Sequence, residues 1–254
     1  MLNVIPIGAF QDNYIWVIRN AHFAAVVDPG DAAPVLDYLR RERLQLAAIL
    51  NTHHHPDHVG GNAELLAHRS VPVFGPSRES IATVTRPVSE GDTVDLPEPA
   101  ARFAVLDVPG HTAGHIAYYG ANSLFCGDTL FGCGCGRLFE GSAAQLYASL
   151  QKLAKLPGDT AVYCAHEYTL ANIAFARVVD PHNRELLERE ARDAAARARG
   201  LPTLPSTVML EKATNPFLRC DDPAIMEAAS AAAGKALSDP AQVFAVLREW
   251  KNRF

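Results

Sequence analysis

No apolar run in this chain of 254 residues reaches the roughly 20 residues that a membrane-spanning helix needs. The opening Met1-Leu2-Asn3-Val4-Ile5-Pro6 also lacks a basic stretch followed by a long apolar one. The expectation is therefore a soluble cytoplasmic protein with no membrane partner. Cysteine is scarce and odd in number, five in all, at Cys126, Cys133, Cys135, Cys164 and Cys220. Without a secretory leader this excludes a disulfide framework and fits a reducing compartment. Cys133-Gly134-Cys135 has no second cysteine pair to complete a soft-metal site, and Cys126 and Cys164 end apolar runs, as small core residues do. Positive charge is not in excess: the net charge of −5 argues against a general nucleic-acid binder, so any basic patch must be local. Repeats and low-complexity tracts are lacking too, apart from the ordinary helical stretch Ala228 to Ala233. A hydrophobic content of 48% remains, enough for one large core or two smaller ones.

Against these absences stands Thr52-His53-His54-His55-Pro56-Asp57-His58, which packs imidazoles and a carboxylate into one short segment. It follows Leu46-Ala47-Ala48-Ile49-Leu50, short and apolar enough to be a buried strand, so the polar groups sit where a strand ends and a loop opens. In extended backbone His53 and His55 share a face while His54 points away. Pro56 stops the strand and lets Asp57 and His58 turn back toward the same centre. Three more apolar runs end in the same way. Phe103 to Val108 leads into Pro109-Gly110-His111-Thr112-Ala113-Gly114-His115, Ser123 to Cys126 into Gly127-Asp128, and Ala161 to Ala165 into His166. Four strand ends that each offer a His or Asp are how an α/β scaffold gathers a metal site from distant segments. Neutral imidazole and carboxylate suit zinc, iron or manganese and leave positions open to water.

The rest of the pattern alternates strand and helix. Asn13 to Ile18 and Phe23 to Val27 read as a hairpin ending at Asp28-Pro29-Gly30, with a helix capped by Asp31 after it. A second helix begins near Gly60 to Leu66, and Val71 to Phe74 is a further strand. Beyond His166 the character changes: Ala171 to Arg199, Ala224 to Lys235 and Ala241 to Asn252 read as helices around an irregular Pro202 to Pro205 link. The expected division is a sheet-based domain over 1–166 and a small helical domain over 167–254. The mixed charges of Arg184 to Arg199 read as a solvated helical face. His22, His68 and His182 lie outside the motifs and read as surface residues.

The motifs THHHPDH, GHTAGH, the lone Gly-Asp and the lone His resemble the signature of the metallo-β-lactamase superfamily. The segments Gly134-Cys135-Gly136-Arg137-Leu138-Phe139-Glu140-Gly141, His166-Glu167-Tyr168 and Asn215-Pro216-Phe217-Leu218-Arg219 resemble one branch of it, the hydroxyacylglutathione hydrolases or glyoxalase II enzymes, over nearly the whole chain. The resemblance implies a four-layered αββα sandwich with a helical C-terminal substrate-binding domain. It implies two divalent metal ions, zinc foremost, with iron and manganese also fitting: His53, His55 and His111 on one, Asp57, His58 and His166 on the other, and Asp128 between them. It implies a metal-bridging hydroxide nucleophile, with Asp57 and Asp128 in catalytic roles, and hydrolysis of S-D-lactoylglutathione to glutathione and D-lactate, the second step of methylglyoxal detoxification. Arg137, Phe139, Tyr168, Arg248 and Lys251 match substrate-binding positions, with Phe139 where some members have Tyr and so without that hydroxyl. His115 falls outside the ligand set, as a supporting or turn residue. The expected partner is the small-molecule thioester alone, bound by a monomer. The competing readings are another hydrolase of the same fold, acting on a lactone, β-lactam or phosphodiester, and a non-catalytic metal-binding scaffold.

Overall fold

Parallel strands need a crossover, and the stretch between Phe23 and Leu50 supplies one. In the computed structural model, which describes residues 3–254, β1 (Asn3–Ala9), β2 (Asn13–Arg19) and β3 (Phe23–Val27) form an antiparallel meander. Helix α1 (Ala32–Glu42) then carries the chain to β4 (Gln45–Leu50), parallel to β3. Asp31 starts α1 as the sequence predicts, its carboxylate accepting from Ala33 N at 3.0 Å, and Arg43 ends it in the left-handed region at φ 55°. Two short helices follow, α2 (Pro56–Val59) and α3 (Asn62–His68), and β5 (Val73–Pro76) and β6 (Arg86–Val88) extend the sheet in parallel.

Both faces of this sheet are buried, and the two-residue period of a strand says which side chain goes where. Ile15, Val17, Ala24, Val26, Leu46 and Ile49 pack with Val35, Tyr38, Leu39 and Leu65 of the helices. Trp16, Ile18, Ala25, Val27, Ala48 and Leu50, on the alternate positions, are equally buried. A second antiparallel sheet runs β7 (Thr93–Leu96), β8 (Ala101–Asp107), β9 (Ile116–Gly120), β10 (Ser123–Gly127). Tyr118 OH donates to Asn51 O at 2.8 Å and Ile116 N to Thr52 O at 3.0 Å, which stitches this meander to the segment just past β4. These elements form one compact unit, 1–107 with 113–127.

The other unit is 108–112 with 128–254. It holds the hairpin of β11 (Leu130–Phe131) and β12 (Gly134–Cys135), helix α4 (Ala143–Leu153) with a Ser142/Gln145 capping box, and the pair β13 (Ala161–Cys164) and β14 (Ser206–Thr207). Its remaining helices are α5 (Thr169–Val179), α6 (Arg184–Ala198), α7 (Val208–Thr214), α8 (Pro223–Ala233) and α9 (Pro240–Arg253). The tract 171–199 is thus two helices: Asp180-Pro181-His182-Asn183 interrupts it, and Asn183 caps the second by accepting from Leu186 N. Helix α7 was not foreseen, because Val208 to Thr214 is too short to show a period. Phe175, Phe217, Phe244 and Trp250 build the aromatic centre of this unit.

The expectation of a solvated charged face on α6 fails at two positions. Arg189 and Asp193 are buried, at 1% and 2% exposure. Arg189 donates to Glu211 Oε1 at 2.7 Å, to Thr214 Oγ1 at 2.7 Å and to Asp193 Oδ2 at 3.2 Å. Glu211 in turn accepts from Cys133 N and Asn215 Nδ2, and Asn215 donates on to Gly134 O, so the network fixes the β11–β12 hairpin. Burial alone would lower the pKa of the Arg189 guanidinium; Glu211 holds it above its ordinary value. Removing one partner of such a network strands the others without water. Arg189→Met should therefore cost about 3–5 kcal/mol in a urea unfolding titration, whereas exposed Arg199→Met should leave the midpoint unchanged.

Candidate metal centre

The first unit presents four of the expected ligands on the loop after β4. His53 is fully buried and His58 is 1% exposed; His55 is half-buried; Pro56 opens α2 and turns Asp57 and His58 back, as the sequence predicts. His53 Nε2 and His55 Nδ1 lie 3.1 Å apart, and His58 Nε2 lies 3.4 Å from Asp57 Oδ2. His54 points elsewhere, its Nδ1 2.9 Å from Glu79 Oε2. His115 is fully buried, stacked on His53 at 4.5 Å with its Nδ1 on Ile116 O.

Asp28 orders this cluster, and it was missed in the sequence. Its Oδ1 accepts from Thr52 N at 2.8 Å, and its Oδ2 accepts from Thr52 Oγ1 at 2.7 Å and faces His58 Nδ1 at 3.1 Å. Because the Thr52 hydroxyl gives its proton to Asp28, it can only accept from His53 Nδ1, 3.1 Å away. A single carboxylate thus places a proton on Nδ1 of both His53 and His58, which leaves each Nε2 as the basic nitrogen. Asp28, His53 and His58 can each bring one ligand-type atom within 4.8 Å of the others, but the bonds to Thr52 and His58 make Asp28 the holder of imidazoles and not a ligand. Asn13 does the same for Asp57, donating to its Oδ2 at 3.0 Å. The signal was present: Asp28 ends the apolar strand β3 just as His53, His111, Asp128 and His166 follow theirs, but Asp28-Pro29-Gly30 read as a turn.

The second unit holds the other three. His111 Nε2 lies 3.4 Å from Asp128 Oδ2, and His166 Nε2 lies 3.4 Å from Asp128 Oδ1, so each carboxylate oxygen faces a different imidazole. His111 Nδ1 sits 2.9 Å from Arg137 O, again leaving Nε2 basic. His166 stacks flat on Tyr168 at 4.7 Å. The donor chemistry fits the group that the motif implies: buried neutral imidazoles with their second nitrogen held, plus carboxylates, is a set for divalent metal ions. Burial pushes the Cys133 and Cys164 thiols up to about 12, and no cysteine joins the His and Asp groups that could hold a metal ion among the described residues.

Beside His111 and Asp128 this unit opens a cavity of about 480 Å³. Arg137, Arg248 and Lys251 line it, together with Phe139 and Tyr168, so all five expected substrate residues face one space. Arg248 is 4% exposed and bonds only neutral groups, with NH1 donating to Cys135 O at 2.8 Å and NH2 to Asn252 Oδ1 at 3.1 Å. The Lys251 ammonium is held below its usual pKa by burial first, then by Arg248 and Arg137. Phe139 stands exposed with its ring edge-on to His111 at 5.2 Å. His22, His68 and His182 are exposed, as expected.

Residues 9–166 match the family described as the metallo-beta-lactamase superfamily, and residues 167–254 match the hydroxyacylglutathione hydrolase C-terminus. A hydroxyacylglutathione hydrolase of Nitrosomonas eutropha is 58% identical over 254 residues, covering 100% of both chains. The chain belongs to the hydroxyacylglutathione hydrolase family. Its fold is the α/β metallo-β-lactamase fold with a helical C-terminal region. ETHE1 from Myxococcus xanthus shares that fold at a TM-score of 0.68, with 22% identity, covering 98% of this chain and 91% of that one. TTHA1623, solved in a di-iron-bound form, is 30% identical at a TM-score of 0.54, covering 65% of this chain and 91% of that one.

For this family member the Asp28 arrangement has a direct consequence. Asp28→Ala should weaken metal affinity by roughly 10- to 100-fold, read by titration of the metal-free protein against a chelating indicator. Unchanged affinity would show that the two imidazoles need no such anchor.

Proposed function

We propose that this chain hydrolyses the thioester of glutathione with a 2-hydroxy acid, S-D-lactoylglutathione, to glutathione and D-lactate. The observation that carries the reading is the crowding of Arg137, Arg248 and Lys251 around one cavity that also reaches His111 and Asp128. Burial, then Arg248 and Arg137, hold the Lys251 ammonium below its usual pKa, so the site is short of negative charge, and glutathione brings two carboxylates. A lactone or β-lactam would leave that charge unanswered. The full-length identity to hydroxyacylglutathione hydrolases supports the same substrate.

In this reading His53, His55 and His111 hold one divalent ion, Asp57, His58 and His166 hold a second, Asp128 is shared, and zinc is the metal. Bound there, such ions supply Lewis-acid polarisation of a carbonyl and water of lowered pKa. The chain's own groups do the rest. Asp57, steadied by Asn13, orients the attacking water. Arg248, Lys251 and Arg137 hold the glutathionyl arm, and Tyr168 and Phe139 close the cavity around it. The leaving group is a thiolate whose conjugate acid has a pKa near 8.5, so it departs without a dedicated general acid. Residues 1–166 carry the metal chemistry and 167–254 most of the substrate recognition, with Arg137 and Phe139 contributed by the former. In this reading the chain acts as a monomer. Five buried cysteines, none of them in a disulfide, support a reducing, cytoplasmic setting. Among the described residues no helix is long and apolar enough to cross a membrane.

Purified protein should hydrolyse S-D-lactoylglutathione with about two metal ions per chain, lose activity on chelation and regain it on adding metal back. Metal-loaded protein without turnover overturns the substrate. Arg137→Ala and Lys251→Ala should each raise KM about tenfold with little change in kcat, as expected for a lost charged contact. Since Lys251 loses its proton below the ordinary lysine range, the wild-type KM should climb as pH rises toward that range, and the climb should be missing in Lys251→Ala.

A further inference from the structure

The thioester has two arms, and the cation-lined cavity accounts for one of them. We propose that Phe10 is the specificity-determining residue for the other, packing its ring against the acyl group; this rests on the thioesterase reading above. Among the described residues Phe10 is the single exposed large hydrophobic side chain of the first unit, at 60% exposure. It sits on the turn between β1 and β2 with φ 52°, a left-handed backbone that Gly or Asn adopts easily and an aromatic residue does not. A strained backbone and an exposed ring are both unfavourable in the free protein, and a contact made only with substrate offsets both.

The ring's position says which contact. The point where a Cβ on Gly30 would fall lies 1.9 Å from Asp57 O and 2.9 Å from Phe10 Cε2, so the ring edge rests beside the backbone of Asp57. The same turn is tied to that residue by Asn13, whose amide donates to Asp57 Oδ2 at 3.0 Å. An aromatic side chain is thereby fastened to the loop that carries His53, His55, Asp57 and His58. The charge on this turn is Asp12, which is negative and disfavours the carboxylates of glutathione. The acyl arm carries no carboxylate, and its carbon skeleton is what a phenyl ring can cover.

Phe10→Ala and Phe10→Leu are compared with wild type on the glutathione thioesters of acetic, lactic and mandelic acid, with metal content and inhibition by free glutathione measured on the same samples. Phe10→Ala should lower kcat/KM for the mandelic thioester about tenfold more than for the acetic one. Phe10→Leu should restore part of that ratio, while metal content and the glutathione inhibition constant stay at wild-type values. An equal loss across the three thioesters, or a loss of metal that accounts for it, overturns the assignment of Phe10 and leaves the thioesterase reading standing. Wild-type protein inert toward all three overturns both.

Discussion

The Asp28 carboxylate is the constraint on which the metal-binding loop depends. To reach Thr52 and His58 together it must leave β3 beside the end of β4, which requires the parallel β3–β4 register and the α1 crossover that makes it possible. Asp28 N also donates to Leu50 O at 2.9 Å, so backbone and side chain of one residue clamp the same junction. Its φ of 53° is the local cost of bending back there. Core packing, strand pairing and imidazole tautomer are therefore one problem with one solution. Loosening any of them would let His53 and His58 turn their basic nitrogens away.

The candidate ligand segments were legible because four apolar runs each end in a His or Asp, and a strand end is where an α/β fold delivers its chemistry; the ligand set itself came from the resemblance. The fold class followed from the same alternation of runs. Asp28 stayed hidden because the triplet Asp28-Pro29-Gly30 satisfies a turn without needing any further role. The Arg189 network was illegible for a different reason: two of its three side-chain partners lie 22 and 25 residues away on another helix, and nothing in a mixed-charge helical segment says which arginine faces inward. Similarly, the Asn183 cap sits inside a segment whose composition is helical on both sides. Composition reports what a segment can form; caps and buried pairs decide where it stops.

Net charge was a poor guide to local charge. A chain carrying −5 overall concentrates Arg137, Arg248 and Lys251 at one cavity of the second unit, and the buried Arg248 bonds only neutral groups there. Nearby, Arg189 is matched by Glu211 and Asp193. The two arginines show what separates structure from function in a buried cation. Arg189 has its counter-charges built in, and its role is complete when the chain has folded. Arg248 does not: carbonyl and amide oxygens and the face of the Phe217 ring surround it, and in the proposed reading the missing counter-charge is a carboxylate of the ligand.

The thiols complete this argument from the opposite direction. Burial raises the pKa of Cys133, Cys135, Cys164 and Cys220, so none of these presents a thiolate near neutral pH. A hydrolase that releases a thiol product gains from having no competing nucleophile beside it, because a protein thiolate near the thioester could take the acyl group by exchange. Cys135 stands at the wall of the cavity that Arg248 and Lys251 also line, and burial keeps its thiol protonated, so it fills space there as a small apolar group.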